Sequence, residues 1–183
     1  MKKLNLGCGH KLKEGYVNID NDPSVNPDHI VNLGVDDLPF ADNTFDEVMA
    51  SHILEHIGDG YISLIKELYR VCKPNAILEI FVPHHRSDWF HDDPTHLRAI
   101  TTNSFNLFSK KYIEEHIRIY GSSNGLALKY NIDLELIESR VRFTNKWIKK
   151  FETMSEQDIA DTIDEKNNVI EEVYIKLKAI KNE

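Results

Sequence analysis

Apolar residues in the first half of the chain come in short clusters separated by polar turns. Leu4–Leu6, Tyr16–Ile19, Glu47–Ala50 and Ile77–Val82 read as strands, with a weaker one over His29–Leu33. Each is short, and Gly, Asp, Asn or Pro stands at its ends. Between the fourth and fifth, Ile62, Leu64, Ile65, Leu68 and Val71 share one face of a helix spanning about 60–72, which Pro74-Asn75 ends. A strand–helix–strand unit of this length predicts a right-handed parallel crossover, hence an α/β fold.

The second half is less regular. Residues 84–102 are rich in His and Asp and follow neither period, which predicts a long loop after the fifth strand. Residues 103–120 read as a helix stopped by Gly121-Ser-Ser-Asn-Gly125. Leu126–Lys129 and Leu134–Phe143 read as an antiparallel pair of strands. Over 155–181, Ile163, Ile170 and Leu177 repeat every seven residues, as do Val173 and Ile180. That spacing predicts a long helix packed on its own domain, or on a second copy as a dimer coil.

The 183 residues suffice for one core, predicting a main domain over 1–150 and a helical tail over 151–183. The net charge of −8 disfavours a long nucleic-acid footprint. The basic run Arg140, Arg142, Lys146, Lys149 and Lys150 is read as a solvated face. Cys8 and Cys72 make neither a disulfide framework nor a zinc spacing. The start lacks the apolar core of a signal peptide, and no apolar run approaches the roughly 20 residues of a membrane span. A cytoplasmic protein without membrane association is expected.

Candidate chemistry begins at Asn5-Leu6-Gly7-Cys8-Gly9, where glycines let backbone N–H groups approach a ligand. The next strand ends in Asp20, a carboxylate placed to accept hydrogen bonds from ribose hydroxyls. The third glycine of a dinucleotide fingerprint is absent and the acid arrives early, which argues against an NAD-type binder.

The segments Leu4-Asn-Leu-Gly-Cys-Gly9, Val17-Asn-Ile-Asp20, Leu38-Pro-Phe-Ala-Asp-Asn-Thr-Phe-Asp46, Ser51-His-Ile-Leu-Glu-His-Ile57 and Glu67-Leu-Tyr-Arg-Val-Cys-Lys-Pro74 follow in order. Together they resemble a short class I S-adenosylmethionine-dependent methyltransferase of the type 11-like kind. The resemblance covers roughly residues 3–82 and weakens to about 108. It implies a three-layer Rossmann-like methyltransferase fold, with a mostly parallel seven-stranded sheet whose last strand is antiparallel. It implies S-adenosylmethionine as cofactor, with Leu6, Gly7, Cys8 and Gly9 at the methionine part and Asp20 at the ribose. Asp36, Asp37 and Leu38 would border the adenine, and Ser51 and His52 would pass beneath the sulfonium.

One departure concerns the first crossover. Only ten residues separate Gly9 from Asp20, where the family fits a helix. A loop is expected there, with His10 or Lys11 facing the methionine carboxylate in place of a helix dipole.

Four of the nine histidines stand in His84-His-Arg-Ser-Asp-Trp-Phe-His-Asp-Asp-Pro-Thr-His96. In this fold that loop would lie over the methyl group, and its Asp-Pro-Thr-His run resembles a subgroup of short methyltransferases. His85, His91 and His96 are the general-base candidates, because a neutral imidazole suits removal of a hydroxyl proton. Their spacing matches no metal signature, so no metal ligands are assigned. Beside that role, Asp92 or Asp93 and Thr95 are expected to cap the next turn, with Trp89 and Phe90 as anchors of the loop. His52 and His56 flank Glu55 at a helical spacing that would place both on one face, with the carboxylate holding loop backbone or a neighbouring side chain. The chain thus reads as a methyltransferase acting on an O- or N-acceptor of small-molecule or glycan type. The alternative is a non-catalytic S-adenosylmethionine-binding subunit or sensor.

Overall fold

The computed structural model describes residues 1–181. Strands β1 (Lys3–Leu6), β2 (Val17–Asp20), β3 (His29–Ile30), β4 (Phe45–Ser51) and β5 (Cys72–Pro83) come first, with helix α1 (Tyr61–Val71) between β4 and β5. Helices α2 (Asp88–His91), α3 (Lys110–Tyr120) and α4 (Leu126–Tyr130) follow. The chain then runs through β6 (Leu134–Phe143), α5 (Asn145–Phe151), α6 (Glu156–Glu165) and β7 (Ile170–Ala179).

The seven strands form one sheet in the order β3-β2-β1-β4-β5-β7-β6. β1 to β5 pair in parallel, and β7 lies antiparallel between β5 and β6. The chain leaves β1 toward β2 on one side and later adds β4 on the other. β1 therefore sits where the winding reverses, and ligands of open α/β sheets bind beyond the strand ends at such a point. Leu4, Leu6, Ile19, Val48, Leu78 and Ile80 are buried in the sheet, and α1 packs Leu64, Ile65 and Leu68 into the same core.

No helix separates β1 from β2, as the short spacing requires. Two buried asparagines hold the link instead. The Asn5 side-chain amide donates to Asn18 Oδ1 at 2.9 Å and to the Lys11 carbonyl at 3.2 Å. Asn18 accepts the Lys13 N–H at 2.8 Å and donates to the Lys13 and Tyr16 carbonyls, both at 3.1 Å. These bonds supply partners that a helix would have given its own backbone.

The second half corrects three expectations. Leu126–Lys129 is helical, in α4, and the antiparallel partner of β6 is β7. Residues 103–108 belong to a 3₁₀ segment, with the regular helix α3 starting after the Ser109 cap. The described part of the tail, 151–181, is not one amphipathic helix: α6 ends at Glu165 and Ile170–Ala179 is a strand, and the last two residues of the expected helical tail lie outside the described residues. Val173, Ile175, Leu177 and Ala179 are buried at alternate positions, so the heptad face expected to pair copies is part of the sheet core. The chain therefore does not divide into a domain and an appended helix.

Candidate functional site

The carboxyl ends of β1, β2 and β4 meet at one edge of the sheet. Gly7 turns the chain out of β1 with φ +59°, and a Cβ there would lie 2.6 Å from the Ile53 side chain. Gly9 follows with φ +47° and open space beside it, so its backbone faces a free volume. The Gly9 N–H donates to Asp20 Oδ2 at 2.8 Å, and the Asp22 N–H donates to Oδ1 at 3.0 Å. Asp20 is thus fixed beside the glycine bend. Each carboxylate oxygen keeps a lone pair for a ligand hydroxyl.

Two cavities share Gly7. The first, about 400 Å³, runs from Asp20 past Val31–Val35 to Ile53 and the loop His56–Gly60. Its far wall is tight: a Cβ on Gly60 would meet the Gly34 carbonyl at 2.0 Å. The second, about 520 Å³, is lined by Asn5, Cys8, Gly9, His10, Lys11, Lys13, Met49, Ser51, His52 and Phe81. Burial pushes the Cys8 thiol up, and nearby Asp20 adds to it, so the thiol stays neutral.

Gly7, Cys8, Gly9, Asp20, Ser51 and His52 therefore line two adjoining cavities, and His10 and Lys11 face the second with Lys13. Leu6 does not: it is fully buried in the core. Asp36, Asp37 and Leu38 lie off the first cavity. Asp36 is exposed and accepts the Asn32 N–H at 2.8 Å, while Asp37 is exposed. Leu38 is buried and donates its N–H to Glu67 at 2.8 Å. The wall they were expected to form is made by residues 32–35 and 57–60. Gly34, Gly58 and Gly60, in loops with no helical or strand period, were the signal for it.

A third cavity, about 430 Å³, meets the other two. It shares His52 with the second and His56 with the first, and adds Pro83, Trp89, Asp92, Asp93, Pro94 and His96. Of the base candidates only His96 lines it. His91 is exposed against Phe90, and His85 packs on His84 with ring centroids 4.3 Å apart. Burial and Arg86 lower the His85 pKa, and burial with its charged neighbours pushes His84 down to about 4.

His52 closes β4 in the left-handed region, at φ +54°, a costly conformation for a non-glycine residue. Its Nε2 stands 2.8 Å from Glu172 on β7, and Nδ1 stands 3.5 Å from Glu55, too far for a hydrogen bond. The Glu55 carboxylate first, and Glu172 after it, hold the His52 pKa above its usual range against the opposing effect of burial. Glu172 also pairs with Arg142 at 3.3 Å, and Arg142 lies over the Trp89 ring. These partners on the last two strands carry no motif, so nothing in the residue pattern marks them.

Glu55, His56 and His96 gather at the boundary between the first and third cavities. Leu54–His56 is a 3₁₀ turn rather than a longer helix, and Glu55 is fully buried. Its backbone carbonyl accepts N–H groups of Leu97 at 2.8 Å and Arg98 at 3.1 Å, which tethers the loop after β5. Contrary to expectation, its carboxylate holds neither loop backbone nor a side chain: both oxygens lack a hydrogen-bond partner.

Residues 4–80 match the model of the methyltransferase domain family. No curated protein matches the chain. Among solved structures, a SAM-dependent methyltransferase from Archaeoglobus fulgidus superposes with TM-score 0.57 at 19% identity, covering 97% of this chain and 85% of that one. A SAM-dependent methyltransferase from Mesorhizobium loti gives TM-score 0.53 at 12% identity, covering 97% and 90%. The cyclase SpnF gives TM-score 0.59 at 14% identity, covering 99% and 76%. At such identities the likeness establishes the fold: the Rossmann-like sheet of these enzymes, with its antiparallel β7.

Proposed function

We propose, from the premise that residues 4–80 are a class I S-adenosylmethionine-dependent methyltransferase domain, that the protein methylates an oxygen or nitrogen of a small-molecule or glycan-type acceptor held in the third cavity. The observation that carries this is the meeting of three cavities at Gly7, His52 and His56, with Asp20 on one side and His96 on the other. The acidic balance of the chain disfavours a polyanionic acceptor.

S-adenosylmethionine is the cofactor, and when bound it supplies a methyl group on a positively charged sulfur. The residues present fit it. Gly9 offers backbone beside open space, and Asp20 offers a carboxylate for the ribose hydroxyls. Val31, Leu33, Ile53 and Ile57 give the first cavity apolar walls for a planar base. Lys11 and Lys13 at the second cavity supply positive charge for a carboxylate, replacing the missing helix end.

His96 handles the acceptor proton. Its Nδ1 stands 2.7 Å from the Phe90 carbonyl, which only accepts, so Nδ1 carries the hydrogen, and in the neutral imidazole the lone pair is on Nε2. A hydroxyl acceptor loses its proton to such a lone pair as it attacks. Ser51, His52 and the loop around Trp89 shape the approach, and alignment of nucleophile and methyl carbon supplies the larger part of the acceleration.

Calorimetry with S-adenosylmethionine and its demethylated product, followed by an acceptor screen, tests this reading. Both should bind one to one. Asp20→Ala should weaken both by about 2–4 kcal/mol, roughly 30- to 1,000-fold, the worth of one or two charge-assisted hydrogen bonds. Unchanged affinity in that variant removes the ribose assignment. Tight binding without turnover on any acceptor would leave a cofactor-binding subunit instead.

A further inference from the structure

We infer that Glu55, His56 and His96 form a binding site for a divalent transition-metal ion, at the wall between the nucleoside cavity and the acceptor cavity. One ring nitrogen of each histidine and a carboxylate oxygen of Glu55 lie within 4.8 Å of one another. Two imidazoles and one carboxylate are a donor set that zinc, iron and manganese accept, with coordination positions left open.

The independent observation is the state of Glu55. It is fully buried, and both carboxylate oxygens lack a hydrogen-bond partner. A buried carboxylate without hydrogen bonds is costly. His52 Nδ1 and His96 Nε2, at 3.5 and 4.0 Å, stand at ion-pair range but make no hydrogen bond to it. A cation among these side chains gives the carboxylate the direct contact it lacks.

The surroundings also fix both imidazoles with a lone pair to offer. His96 donates from Nδ1 to the Phe90 carbonyl, leaving Nε2 bare. His56 Nδ1 stands 2.9 Å from Thr95 Oγ1, whose own hydrogen goes to Asp93 Oδ1 at 2.6 Å. The hydroxyl must therefore accept from His56, so in the neutral ring Nε2 is the nitrogen His56 would have to offer to the ion. Partners of this kind, a carbonyl behind one histidine and a hydroxyl–carboxylate relay behind the other, hold metal-ligating histidines in position. Donor atoms around such an ion stand roughly 3–3.5 Å apart, so the 4.0 Å gap from His96 to Glu55 closes by about half to one ångström on binding.

The site deepens the proposed function and rests on it for its role. His56 lines both cavities and His96 the acceptor side. An acceptor hydroxyl at an open position would give up its proton more readily than free in water. With the ion bound, the His96 lone pair would be taken by the metal, the ion would acidify the acceptor hydroxyl, and its proton would leave to solvent as the oxygen attacks the methyl carbon; acceptors with two adjacent oxygens are favoured.

The test uses the full chain stripped with a chelator and titrated with Co(II) alone, read by visible ligand-field absorption and metal stoichiometry. The expected result is one saturable Co(II) per chain. Glu55→Gln and His96→Gln should each weaken binding at least 100-fold, and Thr95→Val by about 10- to 100-fold. His116→Gln, on α3, should match wild type. Circular dichroism and melting confirm that each variant is folded, and Thr95→Val decides the matter should the ligand variants fail to fold. Absence of saturable binding, or equal binding in every folded variant, overturns the site. Cofactor affinity is measured on the same stripped samples with no ion present, so the methyltransferase reading fails or stands separately.

Discussion

At the residue scale, His84 shows how burial selects a protonation state. The Arg86 N–H donates to its Nδ1 at 3.2 Å, which requires that nitrogen to be unprotonated, and burial pushes its pKa down from 6.5 to about 4. The unfolded chain therefore binds a proton near pH 6.5 that the folded chain refuses until about pH 4. The stability contributed by His84 is present above 6.5 and is lost as pH falls through this window. His85 acts in the same direction. Urea denaturation between pH 4 and 6.5 should show stability rising with pH, and His84→Gln should flatten the rise. An unaltered slope in that variant would place the linkage in other groups. The sequence marks this histidine pair but not its burial, because burial depends on β7 crossing beside Pro83. Gly7, Gly9 and Asp20 were legible because their geometry is local: a bend and the strand tip beside it. Glu55, His56 and His96 were not, since the His56–Thr95 bond joins positions 39 apart through two irregular segments.

At the element scale, β7 teaches what a short periodic pattern conceals. Ile163, Ile170 and Leu177 keep a seven-residue spacing, yet only the last two are in the strand. The deciding signal is the alternation from Val173 to Ala179, in which every second residue is buried and Tyr174, Lys176 and Lys178 lie between. Lys166-Asn-Asn168 breaks the helix first: Asn168 takes φ +59° and bonds back to Arg86 and Asp88. The parallel half of the sheet was readable because its strands are bounded by turn residues. The antiparallel half needed the non-local pairing of β7 with both neighbours, which no single segment encodes. Leu177→Ala should cost about 2–4 kcal/mol in urea denaturation, since Leu177 is fully buried between β5 and β6. Ile163→Ala, on half-buried α6, should cost less than about 1 kcal/mol. Equal losses would revive a helical heptad face.

At the scale of the whole molecule, the three cavities impose a division of labour. Gly7, His52 and His56 are the shared walls, so a change at any of them reaches more than one ligand. His96 belongs to the acceptor cavity alone and is separated from Asp20 by the His52–His56 segment. Its side chain also stacks on Phe90 with centroids 5.3 Å apart, so a smaller residue there leaves a local gap and spares the glycine bend. His96→Ala should therefore lower turnover by about 100-fold or more, whether His96 takes the proton itself or ligates an ion that acidifies the acceptor. Affinity for S-adenosylmethionine should stay within about threefold, under 1 kcal/mol. Single-turnover kinetics beside calorimetry separate the two quantities. A large loss of cofactor affinity with turnover of the bound complex intact would move His96 from the acceptor side to the nucleoside side. The order of the three cavities along the sheet edge would then have to be redrawn.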